Sequence, residues 1–391
     1  MSGRIGLIAG LGTAQTLAWA SSYYLPAILA NDMAADLGLT TPWVFIAFSC
    51  GLLLSGFCAP LSGRLIDLHG GHRVLPASNL LFAAALTSLG LATGPMSLIA
   101  SWLAMGAAMS CGLYEAAFST LARIYGPDAR RAITGITLIA GFASTIGWPL
   151  TAWLEVSFGW RAACFAWAVA HLLVCLPLNA SLPRGIHESR SRADAATSVL
   201  DRRKGWIMAA LAFVFAGTWF GSTSMAAHLP RVLQEAGASL PAAIAAAALV
   251  GPAQVGARVM EFWLMRHVKP LTSAQVATLA HPLGAAILIA SGAPAAPVFT
   301  VAHGAGNGVM TIANGTLPLY FFGAGGYGMR QGLLMMPARL LQAGAPFLFD
   351  VLLTRFGTAA LTVTAAFGIA SFAVLSILRV TCQADRRPPW C

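Results

Sequence analysis

Apolar runs of about 20 residues, the length that crosses a bilayer as a helix, recur from one end of this 391-residue chain to the other. Such a pattern leaves little choice of fold, because a chain in lipid must satisfy every backbone N–H and C=O within its own helices or within a closed barrel. A barrel would alternate apolar and polar residues with period two, and this sequence does not. Only 9% of the residues are charged, where a soluble domain carries roughly 25%. The expectation is therefore an all-α integral membrane protein in a lipid bilayer.

Reading the runs against their charged or Pro/Gly-rich breaks predicts twelve transmembrane helices: 5–30, 42–61, 74–93, 96–122, 132–154, 162–182, 206–227, 241–258, 271–291, 296–320, 332–353 and 359–378. The first run has Arg4 before it and small residues near Ala20, as a signal peptide would. It is long for such a segment and contains Tyr23 and Tyr24, so it reads as an uncleaved first helix. Of the 23 Lys and Arg, Arg161, Arg231 and Arg355 fall outside and Arg258 and Arg339 fall within spans, which leaves eighteen on the cytoplasmic side if the N-terminus is cytoplasmic. That asymmetry predicts a multi-pass protein of a bacterial inner membrane with both termini in the cytoplasm. It also accounts for the net charge of +10 without a nucleic-acid partner. The seven cysteines form no CxxC pair and mostly lie inside apolar segments, so neither a disulfide framework nor a metal site is expected.

The halves resemble each other. GLYEAAFSTL from Gly112 in the fourth helix matches GVMTIANGTL from Gly308 in the tenth at an ungapped offset of 196. YLPAIL at the end of the first helix matches HLPRVL at the end of the seventh, RLID of the second matches RVME of the eighth, and GWP then FG of the fifth match GAP then FG of the eleventh. Four pairs in the same order, each six helices apart, predict two pseudo-symmetric six-helix halves: 1–182, a cytoplasmic linker 183–205, and 206–391 with a short tail. Parallel repeats of this kind are used by rocking transporters, with a solute site between the halves.

Between the second and third helices runs GRLIDLHGGHRVL, with Gly63, Asp67 and Gly70 at its first, fifth and eighth places and Arg73 downstream. This loop resembles the signature of the major facilitator superfamily, and with the repeat the resemblance covers almost the whole chain. Leu68 and His72 stand where that family usually carries basic residues. The resemblance implies that Asp67 holds the second helix against the eleventh in the outward-facing state, helped by a basic residue at the end of the fourth, here Arg123. Arg258 and Glu261 would be the weaker copy in the second half. The bland alternative is that Asp67 and Arg73 only mark topology. Trp43 followed by AFS, the Gly63 loop, and SFGWR ending at Arg161 are similar to the monocarboxylate and oxalate/formate porter branch. A multidrug antiporter is less favoured, because the glycine series usual after the fifth helix's proline is missing.

Polar residues within spans are costly and so become candidates for the solute or proton pathway. Glu115, deep in the fourth helix, either carries a proton, pairs with Arg339 as a gate or clamp, or stays solvated near a cavity mouth. Arg339 presents a planar fork suited to an oxyanion. His303, Asn307, Thr311 and Asn314 share one face of the tenth helix. Gln15, Trp19, Ser22 and Tyr23 form a stripe on the first helix, Trp219 and Thr223 are four apart on the seventh, and Gln342 and Trp148 are weaker candidates. Tyr24, Trp43, Trp160 and Trp206 read as interface anchors. No catalytic motif, phosphate loop or nucleotide domain is present, which predicts a non-enzymatic secondary transporter without a bound cofactor, driven by a proton gradient and working as a monomer on a small solute. Small organic anions or metabolites are the favoured solutes. Export of drugs or arsenicals, uncoupled facilitation and a non-transporting receptor are the rival readings.

Overall fold

The computed structural model describes residues 2–184, 202–264 and 268–384. Most of the expected linker, Arg266 and the C-terminal tail lie outside the described residues. Among the described residues the structure is helical, without strands. Six helical stretches are long and apolar enough to span a membrane, the longest being Pro95–Ala180 at 86 residues. At about 1.5 Å per residue such a stretch would be roughly four times the ~30 Å hydrocarbon core, so it must fold back on itself. It does so at the 3-10 turn Gly126–Asp128 and at Gly159, whose φ of 83° and ψ of 162° separate the fifth span from the sixth. With Ser2–Ser21, Gly71–Gly90 and Ala296–Phe322 added, and Tyr327–Thr381 parted at Gly357–Ala360, the twelve expected spans are present. Large apolar side chains such as Phe57, Val156, Leu173, Trp263 and Phe347 are exposed on them. In water such a surface would aggregate, whereas in a bilayer it meets acyl chains.

Several helices differ in detail from the runs read in the sequence. The first span stops at Ser21, and a separate helix, Pro26–Asp36, follows. The fourth is broken into Pro95–Gly112 and Tyr114–Tyr125 by an extended Leu113, whereas its repeat partner, the tenth, is continuous. The eighth is broken between Leu240–Ala247 and Val250–Leu264, whereas the second, Thr41–His69, is continuous. The two copies thus keep their order of spans and differ in which members are interrupted.

Contacts group the chain into two units, Met1–Ser191 with Ala324–Met336, and Arg192–Gly323 with Pro337–Cys391. The sequence places 324–336 in the second half, but by contact this segment belongs with the first. Within the first unit, the second and fourth spans meet backbone to backbone: a Cβ on Gly106 would lie 2.1 Å from Gly51 O, and one on Gly51 would lie 2.5 Å from Trp102 O. Small residues permit this approach, which in lipid replaces the hydrophobic effect as the source of helix association. Gly106→Val is therefore expected to cost about 1–3 kcal/mol, read as a fall of several degrees in the thermal melt of the detergent-purified protein; an unchanged melt would show that the two helices yield freely.

Two of the three arginines expected on the outside have structural partners. Arg161 pairs with Asp36 at 2.7 Å and donates to the carbonyls of Gly90 and Ala92 at the end of the third span, at 2.9 and 2.8 Å. Arg231 pairs with Asp350 at 2.5 Å and donates to Thr354 Oγ1. Both pairs are half exposed, so they fix helix ends more than they add stability.

Candidate functional site

The loop after the second span closes on Gly70, whose φ of 83° requires glycine and whose N–H donates to Ile66 O. The turn sets Asp67 one helical turn back from the end. Its two carboxylate oxygens accept the N–H groups of Gly328 and Met329, at 2.9 and 2.8 Å. These amides belong to the first turn of the helix Tyr327–Phe356, where no intrahelical acceptor exists and the helix dipole favours an anion. The approach is possible because both backbones carry glycine: a Cβ on Gly63 would lie 1.9 Å from Gly328 O.

Arg123, from the end of the fourth span, meets Asp67 at its backbone. Its guanidinium donates to the backbone carbonyl of Asp67, capping the end of the second span as a cation at a helix C-terminus does. Arg73 is exposed, and His72 beside it is half-buried.

Farther along the fourth span, the break at Leu113 releases the Gly112 carbonyl from helical bonding. Gln15 Nε2 donates to it at 2.7 Å, while Gln15 Oε1 is buried without a protein partner. The break puts Glu115 in the first turn of a new helix, at its positive end, only 8% exposed. Tyr327, wholly buried, lies within electrostatic reach of that carboxyl. Trp19 packs on Tyr23 and Tyr114 with ring centroids 5.3 and 5.0 Å apart, so aromatic rings from just past the first helix and from the start of Tyr114–Tyr125 gather on Trp19. Tyr24 leans on Trp148 at 5.7 Å, and Trp160 is buried with its indole N–H on Asp36, an inter-helix tie rather than a membrane-surface anchor.

The second unit holds the remaining candidates. Arg339, 2% exposed, donates to Gln342 Oε1 at 2.9 Å and lies 5.4 Å over the Trp219 ring, which unites three candidates from the seventh and eleventh spans. Arg258 and Glu261 are both buried, and Arg258 reaches Gly308 O and Thr311 Oγ1 at 3.4 Å. The tenth-helix stripe is divided. Thr311 faces Arg258, Asn314 is buried, and His303 and Asn307 line a small cavity with Thr218, Ser222, His281 and Ser371. His281, Thr364 and Ser371 escaped the sequence reading. A lone histidine in an apolar ninth span was the available signal for the first; the hydroxyl residues gave none.

Comparison with known proteins adds the lineage. A model of the Major Facilitator Superfamily matches residues 11–317. A stretch of 162 residues is 31% identical to an uncharacterized 38 kDa protein in a 23S RNA operon of Thermoproteus tenax, covering 41% of this chain and 42% of that one, so the match spans less than half the relative's length. Among solved structures, a proton:xylose symporter bound to 6-bromo-6-deoxy-D-glucose superposes with a TM-score of 0.73 at 14% identity, covering 96% of this chain and 95% of the other. A human organic anion transporter gives 0.70 at 17% identity, covering 95% and 99%. The transporter FucP in its outward conformation gives 0.71 at 16%, covering 95% and 98%. At such identities these likenesses establish the fold and leave the solute to the residues of the site.

Proposed function

The chain belongs to the Major Facilitator Superfamily, and from that membership we propose that this secondary transporter moves a small organic anion by alternating access, coupled to the proton gradient. The observation that carries the solute class is Arg339. An ionised guanidinium inside a membrane span is expensive, and this one is held in place by Gln342 and Trp219. Its planar fork matches a carboxylate in a way that a lysine could not. The bonds from Gly328 and Met329 to Asp67 support alternation, because they form a contact that must break when segment 324–336 leaves the second span. Glu115 is the proton carrier in this reading. It is a buried carboxyl at a helix start.

We place the protein in a bacterial inner membrane with both termini cytoplasmic, acting as a monomer. Reconstituted protein given a panel of labelled mono- and dicarboxylates under an imposed pH gradient tests the proposal. Uptake that follows the gradient and collapses with a proton ionophore is expected. Glu115→Gln should abolish gradient-driven uptake while retaining exchange of labelled for unlabelled solute. Flux of an anion that ignores the ionophore would make the protein an uncoupled facilitator. Protection of cells from drugs or arsenicals, with no carboxylate flux, would overturn the solute class.

A further inference from the structure

The cavity in the second unit contains a hydrogen-bonded pair of imidazoles that the transport reading does not use. His281 Nδ1 and His303 Nδ1 are 3.0 Å apart, and His281 Nε2 is 2.8 Å from Thr364 Oγ1. The bond between the two Nδ1 atoms holds one hydrogen, and Thr364 Oγ1 also lies 2.9 Å from Leu361 O. When the one hydroxyl hydrogen of Thr364 goes to Leu361 O, its oxygen accepts from His281 Nε2–H. In that arrangement His281 presents a lone pair at Nδ1 and His303 donates from Nδ1, which leaves His303 Nε2 as the basic nitrogen of the pair, on a ring that lines the cavity.

We infer that the His281–His303 pair is a proton-binding site that takes up one proton and excludes a second. A proton arriving from water in the cavity bonds to the Nε2 lone pair of His303 and breaks no existing hydrogen bond. The positive charge strengthens the Nδ1–H···Nδ1 bond to His281. A second proton would have to occupy His281 Nδ1 and face another N–H at 3.0 Å, which the geometry forbids.

The surroundings suit this use. The seventh span faces the cavity with Thr218 and Ser222, the ninth with Thr278, the tenth with Asn307 and the twelfth with Ser371. Among the described residues no Asp, Glu, Lys or Arg lines it, so the two imidazoles are the titratable groups of that lining. Ser371 Oγ is buried without a hydrogen-bond partner in the protein, an independent sign that the cavity has polar capacity left for water or hydronium. His171 in the first unit supplies the contrast. Its two nitrogens meet Ser21 Oγ at 2.8 Å and Asn79 Oδ1 at 3.2 Å, and its ring stacks on Phe82. Both nitrogens are occupied there, so that imidazole is a structural tie.

Histidine-selective ¹⁵N NMR of the full chain in lipid, titrated across roughly pH 4 to 8, tests the inference. The expected result is one imidazole gaining one proton at Nε2 while a second keeps its Nε2-protonated neutral form, with both signatures lost in His303→Gln. Two protons taken up by the pair, or none, would overturn it. The wild-type spectra decide this stoichiometry, so the test survives a variant that fails to fold. Proton release and uptake after a pH jump, followed with an indicator dye, should fall by one proton per chain in His303→Gln, and an unchanged count would also overturn it. The site rests on the transporter reading only for its use in coupling. A facilitator whose flux ignores the ionophore would still show the one-proton titration, so failure of the site and failure of proton coupling are read separately.

Discussion

Gly63→Ala is expected to free segment 324–336 from the second span and to stop transport. The added Cβ would sit 1.9 Å from Gly328 O, and the neighbouring approaches are equally tight: a Cβ on Gly328 would lie 2.3 Å from Gly63 O, and one on Gly332 would lie 2.3 Å from Ala59 O. All these neighbours are backbone atoms, so no side chain can swing aside, and the two chains must part by more than an ångström. Separation on that scale breaks the amide bonds to Asp67. Each hydrogen bond to a charged acceptor contributes about 1.5–3 kcal/mol, so losing even one shifts the docked population by roughly ten- to a hundredfold. Met335 is fully buried in the segment. In a Met335→Cys background, a membrane-impermeant maleimide should label Gly63→Ala at least about tenfold faster than the parent, given that shift. Asp67→Asn, which keeps the shape but loses the charge, should give a smaller rise. Unchanged labelling in both would show that these contacts do not hold the segment.

The second large effect concerns Arg339. If its guanidinium receives the solute's carboxylate, purified wild-type protein should melt at a higher temperature in the presence of the right organic anion. At a hundredfold excess over Kd the stabilisation is about 2.7 kcal/mol. Arg339→Gln should lose the whole shift, while Arg339→Lys keeps a charge but loses the paired donors and should retain only a fraction. Because Arg339 also touches Gln342 and Trp219, the melt of each variant without anion is the reference for its own shift. Equal stabilisation of wild type and Arg339→Gln would remove Arg339 from the solute site, and a panel that stabilises neither would count against the anion class.

The spans were legible because in lipid the cost of an unsatisfied backbone group forces long apolar helices, and length with hydropathy is written directly in the residues. The signature loop was legible for a related reason: Gly63, Asp67 and Gly70 have few uses at that spacing beside a membrane surface. The break in the fourth helix was not. It has glycine but no proline, and the Gly112 carbonyl is satisfied by Gln15, 97 residues away in the chain. Glu115 could be marked as a buried carboxyl from sequence, but its seat at a helix start depends on the break.

Membrane residence, the order of twelve helices and the repeat of their halves were determined by the sequence alone, since each depends on local hydropathy or on resemblance along the chain. Only the tertiary structure decided which atoms meet: Asp67 with amides 261 and 262 residues away, His281 with His303, and Thr311 with Arg258. A helix's period fixes which residues share a face. What that face touches depends on how the neighbouring helices pack, and in lipid that is settled by where small residues let backbones come close.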